Sequence, residues 1–511
     1  MQPNPSLREA SRNPPRLTVA LPSDPVEGQH LIGGAPHRGA SGRTRDIISP
    51  YDGRIVGRIP LAGSAEVDAA VAAAERAWPA WAATPLRERA RVLARFRDLT
   101  LLALDDLANT VAIESGKTPD EAKAGIQRGL EVVEFALSLP SVDAGGALEV
   151  SRGVTCEYRR EPLGVVAGIT PFNFPAMVPL WMFPIALTVG NAFILKPSEK
   201  VPLSACRLGE LMVQAGCPPG IFSVVHGDRD AALALADHRG VRAVGFVGSS
   251  AAARAVYARA AAAGKRALCL GGAKNAVIVV PDADERLTVP SVVDSFTGCA
   301  GQRCMAVSLL IAVGDTQGTQ ILVEKIAAAA SRVRPGVEMG AIIDRQARDR
   351  IDQAIGEAER QGAVLLADGR RAPPPQGYED GAWIGATVID RARPDMECAR
   401  VELFGPVLTV LRVATLDEAL AIDRAGVYGN ATSVFTTSGA VARYVTERAA
   451  SGMIGVNVGV PVPRDPFSFG GTRESKLGHG DMTGPGAVEF WSDLKKITTK
   501  WALQPDATWM S

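Results

Sequence analysis

Apolar strand-like runs alternating with helical stretches predict an α/β fold on a parallel sheet, and three observations point to it. Short uncharged runs recur at Gly164 to Ile169, Ala192 to Leu195, Phe222 to Val225 and Ala243 to Val247, as strands covered on both faces require. Between the first two lies a helical pattern near Leu180 to Val189, which makes a βαβ unit, and similar units follow. Polar residues gather just after the runs, at the carboxyl edge where such sheets bind ligands.

Taken in order, the chain opens with a Pro-, Arg- and Ser-rich stretch without the apolar run of a secretory signal, read as a disordered extension over 1–29. Ala65 to Trp81 and Leu86 to Ser115 carry helical spacing, the second punctuated at Gly116, and predict an N-terminal helical layer. Glu149 to Arg159 alternates like an exposed strand around a Gly turn, which suits a sheet edge or an oligomer contact. From Pro171 to Leu195 no residue is charged, long enough to span a bilayer. Four prolines and two asparagines interrupt it, and no cationic flank frames it, so it reads as buried soluble structure.

Composition narrows the function classes. A chain of 511 residues, 47% hydrophobic and 22% charged, can bury a large core and should divide into two or three domains. Lys+Arg and Asp+Glu both total 55, which gives no electrostatic reason to expect a nucleic-acid or membrane partner. The seven cysteines are odd in number and lack a C-x-x-C pair, arguing for a reducing compartment. Five scattered histidines offer no zinc pattern, so no metal is expected.

Candidate chemistry centres on Phe296 to Ser308, where Cys304 sits in a small-residue turn directly after Arg303. A free thiol of pKa about 8.5 is only a few per cent thiolate at neutral pH, so an adjacent cation matters, and Arg303 is one. The plain alternative is an inert core cysteine. Three loops after strand runs could cradle a nucleotide: Thr170-Pro171-Phe172-Asn173, Lys196-Pro197-Ser198-Glu199 and Gly248-Ser249-Ser250. The G-x-G-x-x-G fingerprint is absent, and a helix N-cap and a turn explain the last two loops equally well.

Together these residues resemble the aldehyde dehydrogenase superfamily from about His30 to Trp501. The motifs are Pro171-Phe172-Asn173-Phe174-Pro175, Lys196-Pro197-Ser198-Glu199, Phe246-Val247-Gly248-Ser249, Gly301-Gln302-Arg303-Cys304 and Glu402-Leu403-Phe404-Gly405-Pro406-Val407. Within it the chain looks most like the CoA-acylating methylmalonate- and malonate-semialdehyde dehydrogenases, on Gly164 to Pro175, Trp181-Met182-Phe183-Pro184, Gly271-Gly272-Ala273-Lys274-Asn275, Tyr378-Glu379-Asp380-Gly381 and Leu494 to Trp501. The resemblance implies Cys304 as nucleophile, with the Asn173 amide and the Cys304 backbone N–H as oxyanion donors. It implies NAD as cofactor and CoA as cosubstrate. Lys196 and Glu199 would hold the adenosine ribose, Ser249 the pyrophosphate and Glu402 the nicotinamide ribose, with Thr170, Phe172, Lys200 and Gly271 lining the cofactor site. A carboxylate at Glu199 disfavours a 2′-phosphate, hence NAD over NADP. Arg128 and Arg303 would bind the substrate carboxylate; the bland reading of Arg128 is a surface pair with Glu131 at i,i+3.

The most informative departure is a missing residue. Hydrolytic relatives carry a general-base glutamate in a Glu-Leu-Gly-Gly-Lys motif, and here Cys269 or Leu270 stands in its place. Without a base, worth about 10²-fold or more, water is a poor acceptor and a thiol is expected instead. A carboxylate standing over the sulfur would remove that argument. Ala276, Val401 and Gly470-Gly471 depart from the usual pattern and bear on the choice of aldehyde.

The expected architecture is a disordered extension (1–29), a Rossmann-type NAD-binding domain (30–148 and 163–278), an α/β catalytic domain (279–472) and a small β oligomerisation element (149–162 and 473–511). A strand pair too small to bury itself should add to a second subunit, giving a homodimer or homotetramer. The expected product is propionyl-CoA or acetyl-CoA after loss of CO₂, in the cytoplasm, or in the mitochondrial matrix of a eukaryote. A hydrolytic dehydrogenase releasing free acid, or a catalytically silent homologue, are the alternatives.

Overall fold

The computed structural model describes residues 19–142, 145–314 and 317–501. Its first large sheet has eight strands in the order Lys476–Gly478, Arg266–Leu270, Val241–Val247, Val165–Ile169, Ala192–Lys196, Phe222–Val224, His30–Ile32 and Ala35–His37. The middle five run parallel, and the outer strands add antiparallel at both edges. Starting from the central Val165–Ile169 strand, the chain builds outward through 192–196 and 222–224, then returns to the other side at 241–247. This reversal opens a crevice at the carboxyl ends of Val165–Ile169 and Val241–Val247. Thr170 and Gly248 therefore lie at its mouth.

The charge-free stretch contains a helix, Met177–Thr188, whose twelve residues are all buried. It packs between this sheet and the helical layer, so every face meets protein and no polar stripe is needed. Among the described residues no helix is long and apolar enough to cross a membrane, and no three His, Cys, Asp or Glu side chains cluster to hold a metal ion. The helical layer comprises Ser64–Ala83, Leu86–Leu102, Leu104–Ser115 and Pro119–Val142. The single helix expected over 86–115 is broken at Ala103, which leaves helical geometry (ψ 12°). Asp105 and Asp106 begin the new helix, where their carboxylates complement its free N–H groups.

The second sheet has seven strands, all parallel except the Val364–Ala367 edge: Val364–Ala367, Thr387–Asp390, Val407–Val413, Val307–Val313, Asn275–Val279, Ala431–Phe435 and Met453–Val456. Because Asn275–Val279 belongs to it, the chain crosses between the sheets through 271–274, ahead of the boundary drawn at residue 278. A separate three-stranded sheet joins Gly146–Ser151, Val154–Pro162 and Ser492–Lys500. It leaves Leu148 (69%), Val150 (54%) and Leu494 (41%) exposed.

Two segments differ from the sequence-based division. Residues 476–478 join the first sheet, and Trp491 is fully buried beneath it, where a Cβ on Gly245 would come within 3.1 Å of the indole. Of 473–511, only Ser492–Lys500 thus lies in the three-stranded sheet, and 502–511 fall outside the described residues. The extension drawn over 1–29 is also shorter, since Val26–Glu27 pairs parallel with the Ile55–Pro60 strand and Val19 is buried. Residues 1–18 lie outside the described residues.

Beneath the 222–224 strand two histidines stack at 5.6 Å, with the His226 N–H donating to His30 Nδ1 at 3.0 Å. Burial above all pushes His226 down to about 3 and His30 to about 4, from 6.5. The native state therefore refuses protons that the unfolded chain accepts, so this stability is intact above pH 6.5 and is lost as pH falls towards 4 and then 3. The expected loss is about 1.4 kcal/mol per pH unit per imidazole. A melting temperature measured down to about pH 5 should fall, and a His226→Gln variant should show a shallower slope; a flat profile in the wild type contradicts this account.

Candidate active site

Cys304 is delivered by an unusual turn. The Glu285–Thr297 helix ends at Gly298, and the next residues take left-handed conformations, Cys299 (φ 52°), Ala300 (φ 53°) and Gly301 (φ 68°). At Gly301 a Cβ would lie 2.1 Å from the Gly405 carbonyl oxygen, so only glycine lets this loop pass the loop that follows Glu402. Gly301→Ala should destabilise the protein by roughly 2–4 kcal/mol and remove activity, read by thermal melting and NADH formation.

After this turn the loop is clamped by amides. Gln302 donates to Ala341 O (3.2 Å) and accepts from Ile343 N (3.0 Å). The Asn173 Nδ2 donates to Gln302 O at 2.9 Å. Asn275 and Asn430 both donate to the Cys304 carbonyl at 2.8 Å, and Asn275 also holds Ala306 O. Sequence reasoning quoted Asn275 only inside a motif and missed Asn430; neither lies near Cys304 in the chain, so no local signal marked them.

The Cys304 thiol is partly accessible and lines a cleft of about 780 Å³ at the sheet crevice. Burial first, then the Glu402 carboxylate, pushes it up to about 12, while the N–H groups of Cys304 and Met305 and the Lys117 ammonium pull it down. Arg303 does not line this cleft. Its guanidinium turns back to the Cys299 sulfur and to Asp294 at 3.9 Å. The expectation that Arg303 activates the neighbouring thiol is therefore corrected. Arg128 also lies outside this cleft, donating to Glu131 and to Pro463 O (2.8 Å). The plain pairing with Glu131 is present.

The remaining candidates converge on the one cleft. Thr170 Oγ1 is buried with no hydrogen-bond partner. Phe172 meets Phe404 edge-on at 5.7 Å, with Lys200 Nζ 5.5 Å from its ring. Lys200 is also bound to Asp344 at 2.6 Å. Lys196, buried, faces Glu199 at 3.6 Å; burial lowers its pKa and Glu199 opposes that. Ser249 caps the Ser250–Ala262 helix by accepting from Ala252 N (3.4 Å), leaving that helix N-terminus open to the cleft. A Cβ on Gly271 would meet Glu474 O at 2.9 Å, so the backbone approaches closely there.

Glu402 lines the same cleft as Cys304. It is raised to about 7, chiefly by burial, against the Ala273 N–H, Lys274 and Arg350. Its Oε2 would lie 2.7 Å from a Cβ on Gly272, so it is folded back against 272–273. At the position of the missing base, whether Cys269 or Leu270, the side chain is buried inside the Arg266–Leu270 strand, which pairs with Val241–Val247 on one side and Lys476–Gly478 on the other. A partly accessible thiol and an amide donor that line one nucleotide-sized cleft are arranged for attack on an electrophilic carbon.

Residues 37–497 match the model of the aldehyde dehydrogenase family. The chain belongs to that family. It is 43% identical to the mitochondrial acylating methylmalonate-semialdehyde dehydrogenase of Arabidopsis thaliana, over 94% of this chain and 80% of that one. Malonate-semialdehyde dehydrogenase 1 of Geobacillus thermodenitrificans (strain NG80-2) is 40% identical over 93% of this chain and 98% of its own. Among solved structures, methylmalonate-semialdehyde dehydrogenase from Oceanimonas doudoroffii superposes with a TM-score of 0.91 at 40% identity, covering 94% of this chain and 99% of that one. A Sinorhizobium meliloti 1021 structure complexed with NAD superposes at 0.92 with 42% identity, covering 95% and 100%. In this aldehyde dehydrogenase the fold expected from the sequence, a Rossmann-type sheet beside an α/β catalytic sheet, is the one observed.

Proposed function

We propose that the enzyme oxidises a carboxylated semialdehyde of the malonate or methylmalonate type with NAD and passes the acyl group to CoA. One observation carries the acceptor: no carboxylate stands where hydrolytic relatives keep their general base, and both candidates for that place, Cys269 and Leu270, are sealed inside a strand. The names of the relatives at about 40% identity support the same reading.

In this reading Cys304 attacks the aldehyde carbon, and the Asn173 amide and Cys304 N–H receive the oxyanion. One Asn173 N–H is already spent on Gln302 O, which aims the other. The cleft fits NAD: an orphaned buried hydroxyl at Thr170, a lysine–carboxylate pair for ribose hydroxyls at Lys196 and Glu199, and a helix N-terminus at Ser249 for phosphates. Lys200, Phe172, Gly271 and Glu402 would complete its walls. NAD supplies the hydride acceptor. The carboxylate β to the Cys304 thioester carbonyl leaves as CO₂ before CoA arrives, because that carbonyl accepts the electron pair, and the α-carbon takes a proton. The CoA thiol then takes the acyl group from the sulfur, giving acetyl-CoA or propionyl-CoA and regenerating Cys304. Arg128 and Arg303 would hold that carboxylate, which must compete with Glu131 for Arg128 and with Asp294 for Arg303. The exposed three-stranded sheet would join subunits into a dimer or tetramer, in the cytoplasm or a mitochondrial matrix.

Glu402 favours a second reading. A carboxylate of pKa about 7 acting on the sulfur could activate water and release free acid. The two readings separate when NAD is supplied with malonate, methylmalonate and unsubstituted short-chain semialdehydes, with and without CoA, and products are identified by mass. CoA-dependent turnover, with about one NADH per subunit in its absence, is expected. Free acid formed equally fast without CoA overturns it, and hydrolysis through Glu402 would rise with pH through about 7 and vanish in Glu402→Gln.

A further inference from the structure

Arg229 begins the Arg229–Asp237 helix and lines the same cleft as Cys304. The pairing of the Phe222–Val224 and Ala192–Lys196 strands continues to their carboxyl ends, where Val225 N donates to Leu195 O at 2.9 Å. The loops that follow therefore leave the sheet side by side, one carrying Lys196 and Glu199, the other Asp228 and Arg229. The two acids that flank Arg229 in the chain are engaged elsewhere. Arg43 pairs with Asp228 at 3.3 Å and with Asp230 at 3.6 Å, and Asp228 also accepts from Asp230 N at 3.0 Å. The Arg229 side chain is exposed, and among the described residues its guanidinium makes no hydrogen bond or ion pair.

The other cations of the cleft are paired or stand elsewhere in it. Lys196 faces Glu199 at 3.6 Å, and Lys200 is bound to Asp344 at 2.6 Å. Arg350 belongs to the Glu402 end, since its neighbour Ile351 packs against the loop after Glu402, where a Cβ on Gly405 would lie 2.5 Å from Ile351 Cδ1. Beside Arg229 the cleft wall turns apolar, with Ala232 and Leu233 from its own helix and Ala252 and Val256 from the adjoining Ser250–Ala262 helix. A flat base fits such a slot, and its ribose hydroxyls then meet Lys196 and Glu199. Arg229 is left for an anion carried by the sugar.

We infer that Arg229 binds a phosphate monoester on an adenosine ribose, the group that CoA carries at its 3′ position and NAD lacks. A guanidinium presents a planar fork to two phosphate oxygens and stays charged at any working pH, so it distinguishes that dianion from a hydroxyl. A 2′-phosphate would instead meet the Glu199 carboxylate, which assigns Arg229 to CoA rather than to NADP. CoA therefore docks its adenosine where NAD docks its own, with its thiol arm in the cleft that Cys304 lines. This inference rests on the reading of that cleft as the nucleotide site.

The test is displacement of NADH from the enzyme by CoA and by dephospho-CoA, followed by NADH fluorescence without aldehyde. On the wild type CoA should act at about tenfold lower concentration than dephospho-CoA, and in Arg229→Gln the two should act within about twofold of each other. Arg229→Lys, which keeps the charge without the fork, should retain a preference of about threefold. Each comparison is a ratio within one enzyme, so a general change in nucleotide affinity does not alter it. CoA and dephospho-CoA acting alike on the wild type, a preference that survives Arg229→Gln, or bound NADH that CoA cannot displace overturns the inference. So does tighter binding of NADPH than of NADH that disappears in Arg229→Gln, which would give the arginine to a 2′-phosphate. A wild type that shows the preference yet releases free acid equally fast without CoA keeps the Arg229 site and loses the acceptor reading, and one that binds no NADH loses both.

Discussion

Cys304→Ala is expected to lower NADH formation by about 10⁴-fold or more, because in the proposed mechanism every covalent step runs through that sulfur. The fold should not suffer. The loop around residue 304 is held by backbone groups, with Asn275 and Asn430 on the Cys304 carbonyl and Asn173 on that of Gln302, and none of these bonds uses the thiol. The melting temperature should therefore stay within about 2–3 °C of wild type. Cys304→Ser should be nearly as inactive, since a hydroxyl ionises far less readily than a thiol in the same buried site. Rapid mixing of the variant with NAD and semialdehyde checks this: no burst of NADH is expected. A variant that keeps even a tenth of the wild-type rate would exclude Cys304 as the nucleophile.

The second large effect is expected at Asn173, where alanine should reduce the rate of the NADH burst by about 10²- to 10³-fold, the range for loss of one oxyanion donor. Its Nδ2 already donates to Gln302 O at 2.9 Å, so the amide plane is set before substrate arrives and, in the proposed mechanism, the second N–H receives the oxyanion. Asn173→Asp should be worse than alanine. A carboxylate would face the Gln302 carbonyl, and it would add negative charge near a thiol already pushed up to about 12. Affinity for NAD should change little in Asn173→Ala, measured by fluorescence titration. A burst rate within threefold of wild type would assign Asn173 a purely structural role.

How far the site could be read in advance varies residue by residue. Cys304, Asn173, Lys196, Glu199, Ser249 and Glu402 were recognisable because each stands in a short motif, and the structure brings them to one cleft. The parallel sheet was recognisable because strands buried on both faces must be apolar throughout, as Val165–Ile169 and Ala192–Lys196 largely are. The break at Ala103 was not, since Leu86 to Ser115 keeps a helical composition across it and only the packing of two differently directed apolar faces ends the first helix. The edge strand at 476–478 was equally hidden, because three residues carry no period.

The chain alone determined its fold class, the cysteine proposed as nucleophile and the absence of the usual water-activating glutamate, because residue identity and local spacing settle those matters. Tertiary structure decided which charges the cysteine meets. Arg303 is adjacent in sequence yet its guanidinium is engaged by Cys299 and Asp294, whereas Glu402, from a remote segment, shares the cleft with Cys304. Side-chain direction follows backbone dihedrals and long-range packing, and electrostatic influence depends on distance in space and burial rather than on separation along the chain.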